Sequence, residues 1–296
     1  MILVAGSANL DFVVRAGHIP APGETVLGWD FQTFPGGKGA NQAVACARAG
    51  GAATAMLCAL GDDDYAKPLL ASLADAHVQL HSVRSEQATG TAFICVSDEG
   101  ENAITVAPGA NADLQPHHWP GHLHISHVLM QLESPVMTVL AFAKAARAQG
   151  AKVVLNAAPA RDLPDELLRN VDMLIVNEGE LSALAGEEGD VLTQLQRLAK
   201  LHDLQNVIVT LGAQGCLALH HGHVIQQKAY AINVVDTTAA GDTFCGSFVA
   251  ALARGAAMQE CLQEASAASA LTCTKLGAQS SIPSREEVMA LMKNAH

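Results

Sequence analysis

Lys152-Val153-Val154-Leu155-Asn156, Met173-Leu174-Ile175-Val176-Asn177 and Asn206-Val207-Ile208-Val209-Thr210-Leu211 decide the fold. Each is a short apolar run rich in β-branched residues. Segments 165–170 and 191–202 lie between them, with apolar residues returning at helical spacing. A strand buried on both faces reads as such an uninterrupted run, and its alternation with helices marks βαβ units in a mainly parallel sheet.

The same rhythm extends outward in both directions. Runs at 2–6, 53–60 and 127–131 predict further core strands, and 41–49, 65–76 and 135–149 predict helices. Crossovers of this kind are right-handed. Two stretches break the pattern. Residues 12–34 and 89–106 read as extended segments with Gly and Pro turns, and in the second two apolar runs flank Asp98-Glu99-Gly100-Glu101-Asn102, a hairpin signal. A small sheet with one apolar face and free edges has to cover something or pair with another copy. The C-terminal third, at 243–254, 258–276 and 284–293, reads as successive helices without strands. The expected fold is α/β: a doubly wound, mainly parallel sheet flanked by helices, in a single domain over 1–296, with a small β-sheet lid from about 12–34 and 89–106.

Composition narrows the function. Of 296 residues half are hydrophobic and only 16% are charged, which suits a buried sheet, and the formal net charge of −12 opposes binding to nucleic acid or to an anionic membrane. The opening Met1-Ile2-Leu3-Val4-Ala5-Gly6-Ser7-Ala8-Asn9-Leu10-Asp11 has no basic n-region and reads as a buried strand, so the expected location is cytoplasmic. Seven cysteines, none in a Cys-x-x-Cys pair, read as reduced thiols. Seven of the 13 histidines cluster at 117–118, 122–124 and 220–223, without the spacing of a zinc-protease helix, and these clusters read as surface turns.

Three signals carry chemistry. In Val235-Asp236-Thr237-Thr238-Ala239-Ala240-Gly241-Asp242-Thr243-Phe244, small residues precede an aspartate where a helix opens. Unpaired N–H groups at such a helix start form an anion hole, and Asp242 at its mouth is placed to take a proton from an attacking hydroxyl. Plain helix capping by Asp242 or Thr237 explains the same residues. The second signal, Pro35-Gly36-Gly37-Lys38-Gly39-Ala40-Asn41-Gln42-Ala43, is a glycine turn leading into a helix. Gln32 and Gly39 exclude a Walker A loop, and Gln42 excludes the dinucleotide fingerprint, which makes an NAD-dependent dehydrogenase remote. Close approach to a polyol, with Lys38 and Asn41 as donors, competes with a tight structural turn. Third, Asn9, Asp11, Glu133 and Asn177 follow apolar runs, where ligands of open α/β sheets bind.

With these motifs the chain resembles the ribokinase-like carbohydrate kinases, a family that also includes adenosine kinase and fructokinases. The resemblance runs nearly the whole length and adds Pro22-Gly23-Glu24-Thr25, Asn177-Glu178-x-Glu180, Thr210-Leu211-Gly212-x-x-Gly215 and Lys275-Leu276-Gly277-Ala278-Gln279. It implies an ATP-dependent transfer of phosphate to a sugar hydroxyl, foremost the 5-hydroxyl of D-ribose, in a homodimer joined through the lids. It assigns Asp242, Gly241 and Ala240 to catalysis and Asn9, Asp11, Gly37, Lys38, Asn41 and Glu133 to the sugar. ATP falls to Asn177, Thr210, Gly212, Gly215 and Ser266, with Mg²⁺ bridging its phosphates. Ser266 stands where the family often has Asn beside the adenine. An activating K⁺ falls to Asp236, Thr238, Thr272, Lys275, Gly277 and Ser281, mostly through backbone oxygens. Other acceptors, such as 2-deoxyribose, a fructose-type sugar or a nucleoside, stay open, as does a sugar-sensing protein without turnover.

Overall fold

The computed structural model describes residues 1–294. Its strands in chain order are β1 (Ile2–Ala5), β2 (Asn9–Ala16), β3 (Gly28–Gly36), β4 (Thr54–Gly61), β5 (Gln79–Ser85), β6 (Gly90–Ser97), β7 (Asn102–Ala107), β8 (His127–Met130), β9 (Lys152–Asn156), β10 (Met173–Asn177), β11 (Asn206–Thr210), β12 (Cys216–His220) and β13 (His223–Gln227). The helices are α1 (Lys38–Arg48), α2 (Ala66–Asp75), α3 (Val136–Ala148), α4 (Asp165–Leu168), α5 (Glu178–Ala185), α6 (Val191–Leu201), α7 (Ala240–Ala253), α8 (Met258–Thr272) and α9 (Arg285–Asn294).

The large sheet has the order β13-β12-β11-β10-β9-β8-β1-β4-β5. Pairings from β11 across to β5 are parallel, and β12 alone runs against its neighbours. From β1 the chain winds outward through β4 to β5, then returns to β8 on the other side of β1 and winds outward again. That reversal between β1 and β8 is the switch point at which open α/β sheets bind ligands, beyond the carboxyl ends of the strands. Side chains alternate between two cores: Val4, Met56, Leu129, Val154, Ile175 and Ile208 pack under the α1, α7 and α8 face, and Leu3, Leu57, Val128, Leu155, Leu174 and Val207 pack under α3 and α6. Burial on both faces is why these strands carry no polar alternation.

The small sheet has the order β3-β2-β6-β7, with β2 and β6 parallel at its centre. Its extent corrects the expected boundaries: strands occupy 9–16, 28–36, 90–97 and 102–107, and 17–27 connects them without strand structure. Asn9 and Asp11 looked like residues following a core strand, yet both lie within β2. Polar side chains buried for a site interrupt the apolar run by which a strand is recognised. On one face Phe12 stacks with Phe31 at 6.1 Å and Phe93 at 5.3 Å, and Leu27, Trp29, Phe31 and Phe93 are exposed.

Four other elements escaped the sequence reading. Strand β5 is an edge strand with a half-polar sequence, and α5 is only two turns long. Strands β12 and β13 form a hairpin whose turn residues, His221 and Gly222, both take positive φ, as a two-residue hairpin turn demands. The 220–223 histidines are that turn. Among the described residues no helix is long and apolar enough to cross a membrane.

The interface of α1 with α7 places the site. A Cβ on Gly246 would lie 2.5 Å from the Gln42 carbonyl oxygen and 2.8 Å from the Cys46 nitrogen, so only glycine permits this approach. The Cys46 thiol donates to the Gly246 carbonyl at 3.3 Å. Gly246→Ala is expected to destabilise the fold by about 1–3 kcal/mol, as overpacking does. Urea unfolding checks this, and unchanged stability would show that the helices separate at no cost.

Candidate active site

The chain enters α7 through Ala239, whose φ of 60° turns the backbone into the helix without a side-chain cap. Ala240 N–H donates to the Thr237 carbonyl at 3.2 Å and Thr243 N–H to the Ala239 carbonyl at 2.8 Å. The N–H groups of Gly241 and Asp242, between them, take no acceptor among the described residues. A Cβ on Gly241 would meet nothing within 4 Å. Two free amides at the positive end of a 14-residue helix, beside open space, suit an anion. The cavity they face measures about 230 Å³ and is bounded by Lys38, Asn156, Asn177, Glu180, Thr210, Thr237, Ala239, Gly241, Asp242 and Cys245, among others.

Asp242 is not a capping residue. Its Oδ2 accepts from Asn41 Nδ2 and its Oδ1 from Gln42 Nε2, both at 2.9 Å, and the side chain is buried. The glycine-rich turn supplies these partners because α1 starts at Lys38, directly after Gly37 with φ of 86°. A Cβ on Gly37 would sit 2.6 Å from the Asn9 nitrogen, so the turn presses against the start of β2.

Behind Asp242 lies a second group of buried polar side chains. Asp11 packs against Gly36, where a Cβ would come within 2.1 Å of its Oδ2. Glu133 Oε2 accepts from Ser7 Oγ at 2.5 Å and from the Lys38 N–H at 3.1 Å. Asn9 Oδ1 accepts from Asn111 Nδ2 at 2.7 Å, which leaves the Asn9 amide N–H₂ for a ligand. Burial, reinforced by the charges of Glu133 and Asp242, pushes the Asp11 carboxyl up to about 7. Burial works against the Lys38 ammonium, but Asp242, Glu133 and Glu180 outweigh it and hold its pKa above the usual lysine range. Burial also raises Glu180, against the opposing effects of the Asn177 N–H and Lys38. One cation among several carboxylates, next to an anion hole, suits a reaction in which a hydroxyl meets a phosphate.

Comparison with known proteins agrees. The profile described as pfkB family carbohydrate kinase matches residues 1–285. The chain belongs to this family. It is 39% identical over 303 residues to the ribokinase of Haemophilus influenzae, covering 99% of each chain, and 38% identical to that of Bacillus subtilis, covering 98% of this chain and 99% of the relative. Among solved structures it is similar to a ribokinase from Thermotoga maritima, with a TM-score of 0.92 at 37% identity and 99% of each chain covered. Arabidopsis thaliana ribokinase complexed with ribose and ATP gives a TM-score of 0.89 at 35% identity, covering 99% of this chain and 98% of that one.

The carbohydrate-kinase residues expected from sequence fall into three groups. Lys38, Asn177, Thr210, Gly241 and Asp242 bound the cavity, and Asn9, Asp11, Gly37, Asn41 and Glu133 cluster beside it through the contacts above, with Ala240 in the same helix turn. Gly212, with φ of 53°, and Gly215, with φ of 97°, shape the turn from β11 to β12; a Cβ on Gly215 would fall 2.0 Å from the Gln227 carbonyl oxygen. Ser266 is buried on α8 with its Oγ 3.9 Å from Cys216 Sγ, away from the cavity lining. In the expected cation group, Asp236 binds the Thr238 N–H and hydroxyl at 2.9 and 2.7 Å and the Gly277 N–H at 2.9 Å, joining the two loops. The Thr272 hydroxyl donates within the core, Ser281 Oγ donates to the Ala278 carbonyl, and Lys275 Nζ pairs outward with Glu287 at 3.1 Å.

Sequence reasoning did not single out Gln42, Asn111, Asn156 or Glu180 as site residues. Gln42 and Glu180 stood inside quoted motifs, at three residues after Gly39 and Asn177, and that spacing was their available signal.

Asp11 yields a test of sign. Its folded pKa of about 7 lies well above the usual carboxylate range, so the folded state holds the extra proton. Its contribution to stability is full below the unfolded value and is lost as pH rises through 7. Asp11→Asn is expected to gain a little over the parent at pH 5 and more at pH 8, by up to a few kcal/mol. Urea unfolding at both pH values decides, and equal stabilities at pH 8 would exclude strain at Asp11.

Proposed function

We propose that this chain is an ATP-dependent kinase acting on the 5-hydroxyl of D-ribose, with Asp242 as the base. The observation that carries the reading is the placement of the Asp242 carboxylate in the same helix turn as two free amides, at the mouth of one cavity. The names of the relatives, and the ribose and ATP in the Arabidopsis complex, point to the same substrates.

The γ-phosphate meets the N–H groups of Gly241 and Asp242 and the Lys38 ammonium, which hold charge as the bond to ADP breaks. The ribose oxygen forms the new bond to phosphorus, its proton passes to Asp242, and ADP leaves. A loose transition state releases that proton late, so a weak base suffices. Asn9, Asp11 and Glu133 hold the other sugar hydroxyls. Mg²⁺ bound with ATP would neutralise phosphate charge, and Glu180, a carboxylate facing the cavity that holds no proton-accepting role, suits it.

Asp236, with both oxygens engaged, leaves backbone carbonyls of the 236–238 and 272–281 loops as donors. Neutral carbonyl oxygens suit a monovalent cation such as K⁺. Seven free thiols, five of them buried, and the use of ATP suit the cytoplasm. The small sheet serves as a lid that keeps water from the phosphate. Its exposed Trp29, Phe31 and Phe93 form an apolar face fitted to a second copy.

An ADP-release assay against ribose, 2-deoxyribose, fructose and adenosine, with and without K⁺, tests the reading. Ribose is expected to give the highest rate, increased by K⁺, and no rate above background with any acceptor would reject the kinase. Asp242→Asn is expected to keep ATP binding and lose roughly 10²–10⁴ in turnover. Gly241→Ala is expected to leave stability unchanged, since its Cβ meets no atom, but to weaken ATP use by filling the anion hole. Calorimetric ATP titration separates the two variants.

A further inference from the structure

Two chains of side-chain amides converge on Asp242 from outside the cavity. In the first, Ser72 Oγ donates to Gln279 Oε1 at 2.6 Å, Gln279 Nε2 donates to Asn41 Oδ1 at 3.1 Å, and Asn41 Nδ2 donates to Asp242 Oδ2 at 2.9 Å. In the second, Gln131 Nε2 donates to Gln42 Oε1, and Gln42 Nε2 donates at 2.9 Å to Asp242 Oδ1 and at 3.0 Å to Asn156 Oδ1. Gln279 and Gln131 are both almost wholly buried.

An amide has one accepting and one donating end, so each link has a direction. An ionised carboxylate only accepts, and Asn41 must therefore turn its N–H₂ to Asp242 and its carbonyl away. The carbonyl then needs a donor, and Gln279 supplies it. If Gln279 presented its oxygen, Asn41 would face two acceptors with one donating end. It would either rotate its carbonyl onto Asp242 or leave its own oxygen unpaired, and both outcomes disfavour the ionised base. The second chain shows what its direction costs. Gln131 Oε1 is buried without a hydrogen-bond partner, a deficit that packing alone gives no reason to keep.

We propose that Gln279, in the loop after α8, is a positioning residue for the phosphoryl transfer: acting through Asn41, it fixes the direction of the amide chain so that Asp242 is held ionised and aimed. The proposal rests on Asp242 being the base. Gln279 touches neither substrate. It connects the loop that carries Gly277 and Ser281 to the reacting centre, and Arg48 anchors it by donating from NH1 to its backbone carbonyl at 2.8 Å.

Gln279→Glu tests this with almost no change of volume, because a carboxylate there cannot donate to Asn41. The expected result is a loss of kcat of tenfold or more, an acid limb of the kcat–pH profile moved up by about one pH unit, and an unchanged Kd for ATP. Ser72→Ala, which frees Gln279 to rotate, is expected to move the same limb in the same direction by less. It also serves if the glutamate variant does not fold. Titration of the Asp242 carboxyl by ¹³C NMR reads the effect without turnover, so it stands even if ribose proves not to be the acceptor. A kcat within twofold of the parent, or a fall in kcat with the acid limb and the Asp242 titration unmoved, would overturn the proposal.

Discussion

Both oxygens of one buried carboxylate are held by neighbouring amides at the start of another helix, about 200 residues away in the chain. Everything else in the site is arranged around that contact between α1 and α7. It needs glycine at 246 so that the helices can approach, and glycine at 37 so that α1 can begin close enough to β1 and β2. Hydrogen bonds to a charged group in a dry site are among the stronger ones a protein makes, and they are lost together if either helix shifts. Helices α1 and α7 are therefore one structural unit, although eight of the nine strands of the large sheet lie between them in the chain.

The cluster of Asp11, Glu133, Glu180 and Asp242 around Lys38 opposes folding, since each carboxylate is taken from water beside others of its own sign. Such an arrangement is stable only because the doubly buried sheet and its two apolar cores supply the surplus. A polyol with several hydroxyls is the kind of ligand that relieves it, because each hydroxyl can donate to a carboxylate that otherwise has too few donors.

The core was legible because its physics is local. An apolar run between helical segments has few alternatives, and β9, β10 and β11 fall within a residue of the expected bounds. A helix opening beside Asp242 and a glycine turn before α1 were legible for the same reason, since small residues at those spacings have few other uses, although α7 and α1 each begin three residues before the expected 243 and 41. What escaped depends on distance. Asn9 and Asp11 could not be placed on β2 from a polar interruption alone, and short α5 disappeared into the strand end before it. Gln42 and Gln279 gain meaning only from partners remote in sequence, Asp242 and Asn41, which no window along the chain can show.

The position of Asn9 and Asp11 on β2 has one more result. The small sheet carries side chains that cluster beside the cavity, and Gly36, paired with Asn9 at the same end of the sheet, leads through Gly37 straight into the helix whose amides hold Asp242. A shift of this sheet would therefore move Asn9, Asp11 and the start of α1, with Asn41, together.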